Sequence, residues 1–372
     1  MTPFKVAHAF AEDWAHAAKA CADGLGAEAE GANLGFVYIT DELVDDFSSI
    51  LTYLRQKTGI GCWIGSAALG ICAGGKTYFG QPAMAVMAAT LPEDAVCVFP
   101  SISESIDELS SHANEWIKRA SPMFGIVHGD PNNEDTGALI AELADSFSGF
   151  LVGGISSSSA EHSYQVAGRV TGGGVSGALF APEVDVITGL SQGCAPIAEG
   201  HVISDCLDNV LIGLDGRRAL DVFREDVAGI IGDDLSKVPG VIHAAIPIEG
   251  SDTGDYMVRN LLGIDSTRGW LAIGSDVQPG ERIMFVRRDA DSARKDLCAM
   301  LNRMKGRVSG KPRGGVYFSC TARGPFMFGG ENGEMALIRQ HLGDFPLVGF
   351  YASGEISNNR LYSYTGVLVL FL

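Results

Sequence analysis

The chain is short of positive charge. Its 372 residues carry 27 Lys and Arg against 45 Asp and Glu, a formal net charge of −18. A surface that acidic repels nucleic-acid phosphate and anionic lipid, both of which need a cationic footprint, so no nucleic-acid or membrane partner is expected. Long hydrophobic runs are missing as well. Val367–Leu372 is typical of the apolar stretches present, far below the roughly 20 residues of a membrane helix. The start of the chain has no apolar leader segment, since Glu12 and Asp13 interrupt it. None of the eight cysteines stands in a C-x-x-C pair, which favours reduced thiols over a disulfide framework. A cytoplasmic globular protein is the expectation. Apolar residues at 46% are enough for a real core, which excludes disorder, and 48 glycines predict tight turns and close backbone contacts.

What is present is a repeat. The first 26 residues read as a helix with Phe10, Trp14, Ala17, Ala18, Cys21 and Leu25 on one face. Then Gly35–Thr40 reads as a strand, Leu43, Phe47, Ile50, Leu51 and Leu54 follow helical spacing, and Ile60–Gly65 is a second strand. The order returns at Phe124–His128, Leu139–Phe147 and Phe150–Gly154, and again at Gly315–Cys320, Met335–Leu342 and Pro346–Phe350. Each unit continues through a Gly/Ser-rich turn into a further apolar strand, near Ala83, Val175 and Gly366. The repeated glycine placement points to duplication. The expected fold is α/β: two domains built from repeated strand–helix–strand–strand units, with mixed sheets flanked by helices. The first two strands of each unit should be parallel and the third an antiparallel edge. The intervening region differs, with helices after Asp215 and from Asp291 to Met304 and strands near Val241, Trp270 and Arg282. A boundary is expected within residues 205–215.

Two glycine motifs match nucleotide-binding patterns literally, and both fail on context. Gly70-Ile-Cys-Ala-Gly-Gly75-Lys76-Thr77 fits a P-loop, but Tyr-Phe-Gly80-Gln-Pro82 follows where a helix must begin. Gly172-Gly-Gly174-Val-Ser-Gly177 fits a dinucleotide loop but runs into a strand ending at Pro182. Both read as turns. The eight histidines show no metal-binding spacing. His128 ends a strand and leads into Asp130, at the end of a parallel strand where ligands collect in open sheets. A structural, hydrogen-bonded His128 is the competing reading.

The end of the third repeat is chemically richest. Cys320 and Arg323 leave its first strand, and Tyr351, Ser353 and Glu355 leave its second. Ser156, after the second strand of the middle repeat, is a further candidate. A nucleophilic Cys320 activated by Arg323 is one possibility. An internal Arg323–Glu355 ion pair with a purely structural role is another. As a site, Arg323 would anchor an anionic group of the ligand, and Glu355 would orient it or accept an ammonium.

These residues resemble the FIST family of paired FIST N and FIST C domains. The likeness is carried by Gly315-Val-Tyr-Phe-Ser-Cys320-Thr-Ala-Arg323-Gly324 and Pro346-Leu-Val-Gly-Phe-Tyr-Ala-Ser-Gly354-Glu355-Ile356. Tyr256–Gly263, Pro279–Asp289, Ser191–Ile197, Asn209–Gly216 and Val152–Gly154 add to it. It implies an N-terminal helix over 1–30, a FIST N-like domain over 31–210 and a FIST C-like domain over 211–372. The implied function is small-ligand sensing without catalysis and with no cofactor, the ligand an amino acid or derivative. Ligand-binding residues would be drawn from Arg323, Glu355, Cys320, Tyr351, Ser353, His128, Asp130 and Ser156. Two alternatives accompany it: a haem-binding, nitric-oxide-responsive regulator of a histidine kinase, and an enzyme using Cys320. No kinase, cyclase or DNA-binding motif is visible, so the output is expected in a separate partner, a histidine kinase or a cyclic-dinucleotide enzyme. One departure from the family pattern stands at Gly65-Ser-Ala-Ala-Leu-Gly70-Ile71, which lacks the carboxylate usual in the first repeat.

Overall fold

The computed structural model describes residues 4–26, 29–147, 149–159, 163–251 and 254–372. Two compact units divide the chain, residues 1–191 with 297–372, and residues 192–296. The three repeats all lie in the first unit.

The first repeat comprises β1 (Lys5–Phe10), α1 (Trp14–Leu25), β2 (Leu34–Thr40), α2 (Phe47–Thr58), β3 (Cys62–Ala68), β4 (Gly70–Ala73), β5 (Lys76–Phe79) and β6 (Ala83–Ala89). The second comprises β7 (Val96–Ile102), α3 (Ser111–Ala120), β8 (Phe124–Gly129), α4 (Thr136–Phe147), β9 (Phe150–Ile155), β10 (Gln165–Ala167), β11 (Val170–Thr171) and β12 (Val175–Phe180). The third opens with β13 (Val186–Ser191). The second unit then follows: β14 (Cys194–Pro196), β15 (His201–Leu207), β16 (Val210–Leu214), β17 (Arg217–Arg218), α5 (Ala219–Ile231), β18 (Ile242–Pro247), β19 (Tyr256–Arg259), β20 (Leu261–Asp265), β21 (Trp270–Ile273) and β22 (Arg282–Arg288). After α6 (Ala290–Arg307) the third repeat resumes as β23 (Gly314–Cys320), α7 (Gly333–Leu342), β24 (Leu347–Ala352), β25 (Gly354–Ser357), β26 (Arg360–Tyr362) and β27 (Gly366–Phe371).

The pairing registers make the repeats equivalent. β2 runs parallel to β3, β8 to β9 and β23 to β24, with Gly35 opposite Trp63, Gly125 opposite Leu151 and Gly315 opposite Leu347. The three glycines therefore open equivalent strands, and α2, α4 and α7 each join two parallel strands, as the spacing predicts. The last strand of each repeat is antiparallel to the first, also as expected. It is not an edge, however. β6, β12 and β27 are each covered on their other side by β1, β7 and β13. The Gly/Ser-rich turn holds a further difference, a hairpin that leaves its own repeat. β4–β5 joins β24, β10–β11 joins β3, and β25–β26 joins β9, so three six-stranded sheets form by cyclic exchange.

The N-terminus also departs from its sequence reading. Residues 5–10 form a strand and the helix begins at Trp14, capped by the Asp13 side chain on His16 N. Pairing with β6 outweighs local helical spacing there and leaves Phe10 56% exposed. The 205–215 stretch is the β15–β16 hairpin inside the second unit. Both glycine motifs are turns, as expected: Gly70–Thr77 spans the β4–β5 hairpin, and Gly172–Gly174 leads into β12. No helix among the described residues is long and apolar enough to cross a membrane.

Tyr38, His128 and Phe318 occupy the same position in β2, β8 and β23, and they meet in the core of the first unit. Tyr38 Oη lies 3.2 Å from His128 Nε2, and the His128 ring packs against Phe318 and Phe350. The second unit has its own core around Phe223 and Phe285, with ring centroids 4.8 Å apart. There His201 sits between Asp215 and Asp226, its two ring nitrogens 2.6 and 2.8 Å from their carboxylates.

Close approach of the parallel strands sets a steric demand at one position per repeat. A Cβ on Gly65, Gly153 or Gly349 would lie 1.7–1.8 Å from the carbonyl oxygen of Val37, Val127 or Tyr317. Gly349→Ala is therefore expected to lose several kcal/mol or fail to fold, because backbone cannot yield. Gly137→Ala, in open space on α4, should instead gain up to about 1 kcal/mol from helix propensity. Urea denaturation of the two variants checks the pair.

Candidate functional site

The residues singled out by sequence are placed in five different surroundings. Arg323 is the most enclosed, at 1% exposure just after β23. Its ion-pair partner is Glu334, and Glu355 binds elsewhere. Arg323 Nε donates to Glu334 Oε1 at 2.9 Å, and Nη2 lies 2.8 Å from the same oxygen. Nη1 donates to the Ser191 carbonyl at 3.0 Å, and the guanidinium stacks on Phe328. Glu334, in the first turn of α7, also accepts from Tyr317 Oη at 2.7 Å and Ser319 Oγ at 2.9 Å, with Tyr351 Oη at 3.5 Å. Burial alone would lower the arginine's pKa, but Tyr317 and Glu334 outweigh it and hold the guanidinium charged. A guanidinium spent this way has no fork left for a ligand's anionic group. The structural reading of Arg323 holds, with Glu334 in place of Glu355.

Glu355 takes a different role. Its Oε2 accepts from Thr365 N at 3.0 Å and Thr365 Oγ1 at 2.8 Å, while Oε1 has no hydrogen-bond partner. Burial raises its pKa to about 8, partly offset by Thr365 and Arg323, so the carboxyl is largely protonated at neutral pH. Cys320 lies beside it, and burial together with Glu355 pushes that thiol up to about 12. Cys320 is 4% exposed with its thiol held up, whereas reactive cysteines sit in exposed surroundings that lower the thiol pKa.

Ser353 Oγ donates to the Ser156 carbonyl at 2.8 Å, and Ser156 Oγ to the Ala67 carbonyl at 2.8 Å, tying the repeats together. His128 is wholly buried, and desolvation lowers its pKa to about 3. Enclosed by Tyr38, Phe318 and Phe350, it faces Tyr38 Oη with Nε2, while Nδ1 has no hydrogen-bond partner.

Asp130 is where an opening exists. It follows β8 and lines a pocket of about 490 Å³ with Asn132, Ser163, Tyr164 and the Val170–Gly173 segment. Its backbone N–H bonds to Gly174 O at 2.9 Å. Its carboxylate oxygens accept from Asn132 N and Gly173 N, both at 2.8 Å. The pairings of Ile39 with Met84, Gly129 with Val175 and Ser319 with Gly366 make Thr40, Asp130 and Cys320 equivalent. The segments facing them are Gln81-Pro82-Ala83, Gly172-Gly-Gly174 and Ser363-Tyr364-Thr365. The middle repeat thus has glycine at all three places where the others carry larger residues. Two of these glycines are obligatory: a Cβ on Gly174 would lie 1.9 Å from Ile102 O, and one on Gly172 2.9 Å from Ser163 O. Among the described residues the pocket lining has no histidine, cysteine or methionine. Among the described residues no cluster of three or more His, Cys, Asp or Glu could hold a metal ion.

A FIST N domain model matches residues 33–217 and a FIST C domain model residues 219–358. The chain belongs to the FIST family. Uncharacterized protein Rv0628c of Mycobacterium tuberculosis (strain H37Rv) is 31% identical over 389 residues, covering 99% of this chain and 97% of its own length. Uncharacterized protein Mb0898c of Mycobacterium bovis is 34% identical over 191 residues, 49% of this chain and 50% of its own. FIST domains are sensory domains that bind small ligands. In this FIST protein the FIST C match takes in the second unit from α5 onward and most of the third repeat's later elements, whereas the described pocket lining lies within the FIST N match, which also covers β14–β16 of the second unit.

Sequence reasoning found Asp130 but missed the rest of the pocket wall and missed Glu334. The signal for the wall was the glycine triplet at a place where the other repeats carry side chains. Glu334 gave no comparable signal, since an acidic residue in a helix's first turn is ordinary.

Two outcomes follow from the buried carboxyls. Arg323→Ala should cost roughly 3–5 kcal/mol by stranding Glu334, and Arg323→Lys should also lower stability, since lysine keeps the charge but not the fork. Equilibrium unfolding of both variants measures this. For Glu355, the folded pKa of about 8 stands above the ordinary 4.5. Its contribution to stability is complete below the lower value and is lost as pH rises through the higher one. Glu355→Gln should abolish that decline, so the variant gains on the wild type between pH 5 and 8.5 in denaturation midpoints. A constant offset across that range would refute the protonated carboxyl.

Proposed function

We propose that this chain is a sensory module whose small ligand binds in the pocket beside Asp130, and whose output passes to a separate polypeptide. The observation that carries this reading is the asymmetry among equivalent positions. Thr40 and Cys320 face larger residues, whereas Asp130 faces a glycine turn and an open cavity of about 490 Å³. That volume falls within the range of small-molecule sites. The pocket's walls also suit a sensor. Asp130 and Asn132 follow β8 of the second repeat's own sheet, while Tyr164 precedes β10, which pairs with β3 of the first repeat, and Val170 lies in β11, the other strand of that hairpin. A ligand there touches two sheets at once, and its affinity depends on how they are set, which is the requirement for biasing a conformational equilibrium.

Within this reading the ligand is an amino acid or a derivative of one, and the partner is a histidine kinase or a cyclic-dinucleotide enzyme, the classes implied by the family resemblance. The acidic surface favours encounter with a neutral or basic docking face.

Asn132 is exposed at the mouth of the pocket, so Asn132→Trp should close it with little effect on folding. Small molecules that co-purify with the wild type, read by native mass spectrometry, should be absent from this variant. Affinity capture from the native host, with and without the co-purified molecule, should retain a partner in one condition more than the other. Equal small-molecule content in both proteins would place the ligand elsewhere, and no retained partner would favour a carrier over a sensor.

A further inference from the structure

We infer that the pocket's ligand docks a cationic nitrogen, an ammonium or guanidinium, on Asp130, so that its class is a small organic amine and not a carboxylate or phosphate. This rests on the reading of the pocket as the sensory site and goes beyond it by fixing the charge of what binds.

The carboxylate itself is the first reason. Asp130 is 4% exposed, yet it forms no ion pair among the described residues. Its two oxygens accept one backbone N–H each, from Asn132 and Gly173. An ionised carboxylate offers about four acceptor sites, so roughly half of its capacity is unused. A charge so nearly buried is costly unless it is paired, and a ligand cation supplies the missing partner.

The lining is the second reason. Among the described residues it contains no lysine, arginine or histidine, so none of them would compensate an anion placed beside Asp130. The polar hydroxyl of Thr171 already accepts from Ser101 N at 3.2 Å. Tyr164 and Val170 pack on the apolar core beneath and offer a hydrocarbon and aromatic surface to the body of an amine. The overall charge of −18 raises the local concentration of cations and lowers that of anions.

The third reason is that the charge is confined to the open repeat. Thr40 and Cys320 hold the equivalent places, and neither is a carboxylate. Glycine at 172 matters here as well, because a Cβ on it would sit 3.8 Å from Asp130 Oδ2 and begin to cover the oxygen. Carboxylate and access thus occur together in one repeat of three. An organic cation is favoured over a metal ion, since a single side-chain carboxylate is too few ligands for one. In relation to amino acids, the class is one whose carboxylate has been removed or masked: a decarboxylated or amidated derivative.

The test uses the full chain and a panel of defined probes: agmatine, cadaverine and tyramine, against glutarate, phenylacetate and inorganic phosphate. Thermal shift and calorimetry should show at least one amine binding at millimolar concentration or below and none of the anions. Asp130→Asn should weaken that amine at least tenfold. Because Asp130→Asn could disturb the Gly173 turn, Asn132→Trp serves as the second variant, keeping the carboxylate while closing the mouth, and it should abolish binding. Binding of an anion that Asn132→Trp abolishes would overturn the charge assignment and leave the pocket intact. Amine binding undiminished in both variants would overturn the pocket reading as well. Failure of every amine to bind would overturn the inference.

Discussion

The exchange of hairpins is the constraint on which the first unit depends. β3, β9 and β24 are each the last strand of their own repeat's parallel pair, and without a partner each would expose a row of unpaired backbone groups. The hairpin that covers each one comes from another repeat, in a closed cycle of three. No repeat completes its own sheet. This explains why the third repeat can be interrupted in sequence, with β13 on one side of the second unit and β23 on the other. Both ends pair with β27, and the sheet closes over the gap.

The cycle also explains why the carboxyl ends of the parallel strands diverged. In each repeat the residue at the end of the first strand faces the residues that lead into the last strand, and in two repeats a backbone hydrogen bond of the same geometry crosses there: Asp130 N to Gly174 O, and Cys320 N to Thr365 O. Thr40 uses its hydroxyl for the same purpose, accepting from Ala83 N. The backbone frame is fixed three times over, and the side chains on it are free to differ. The first repeat fills the place with threonine and proline, the third packs a buried charge network nearby, and the second leaves it open.

Charge is handled oppositely in the second and third repeats. Arg323 and Glu334 are brought together out of water with tyrosine and serine hydroxyls completing their hydrogen bonds, which is the condition under which a buried pair is tolerated. Burial raises the pKa of Glu355 beside them, favouring its neutral form. Asp130 is nearly as buried as these groups but is served by backbone N–H groups alone. A network that is satisfied internally rigidifies the fold, whereas one left a partner short is poised to take that partner from outside.

Much of this was legible in the sequence. The three strand–helix–strand units, the glycines that open them, the parallel pairing and the rejection of both nucleotide motifs came from local periodicity and from the residues that follow each turn, because those depend on neighbours a few positions away. Asp130 was found by its place at a strand's end. Tertiary structure alone decided that residues 5–10 pair as a strand, that the last strand of each repeat is interior, and that each hairpin belongs to another repeat's sheet. It also decided that Arg323 pairs with Glu334 and not with Glu355. The physical reason is common to all of these: a strand's partner and a buried charge's counter-ion are chosen by what packing brings within 3 Å, and several residues at comparable sequence distance could have satisfied the same local pattern.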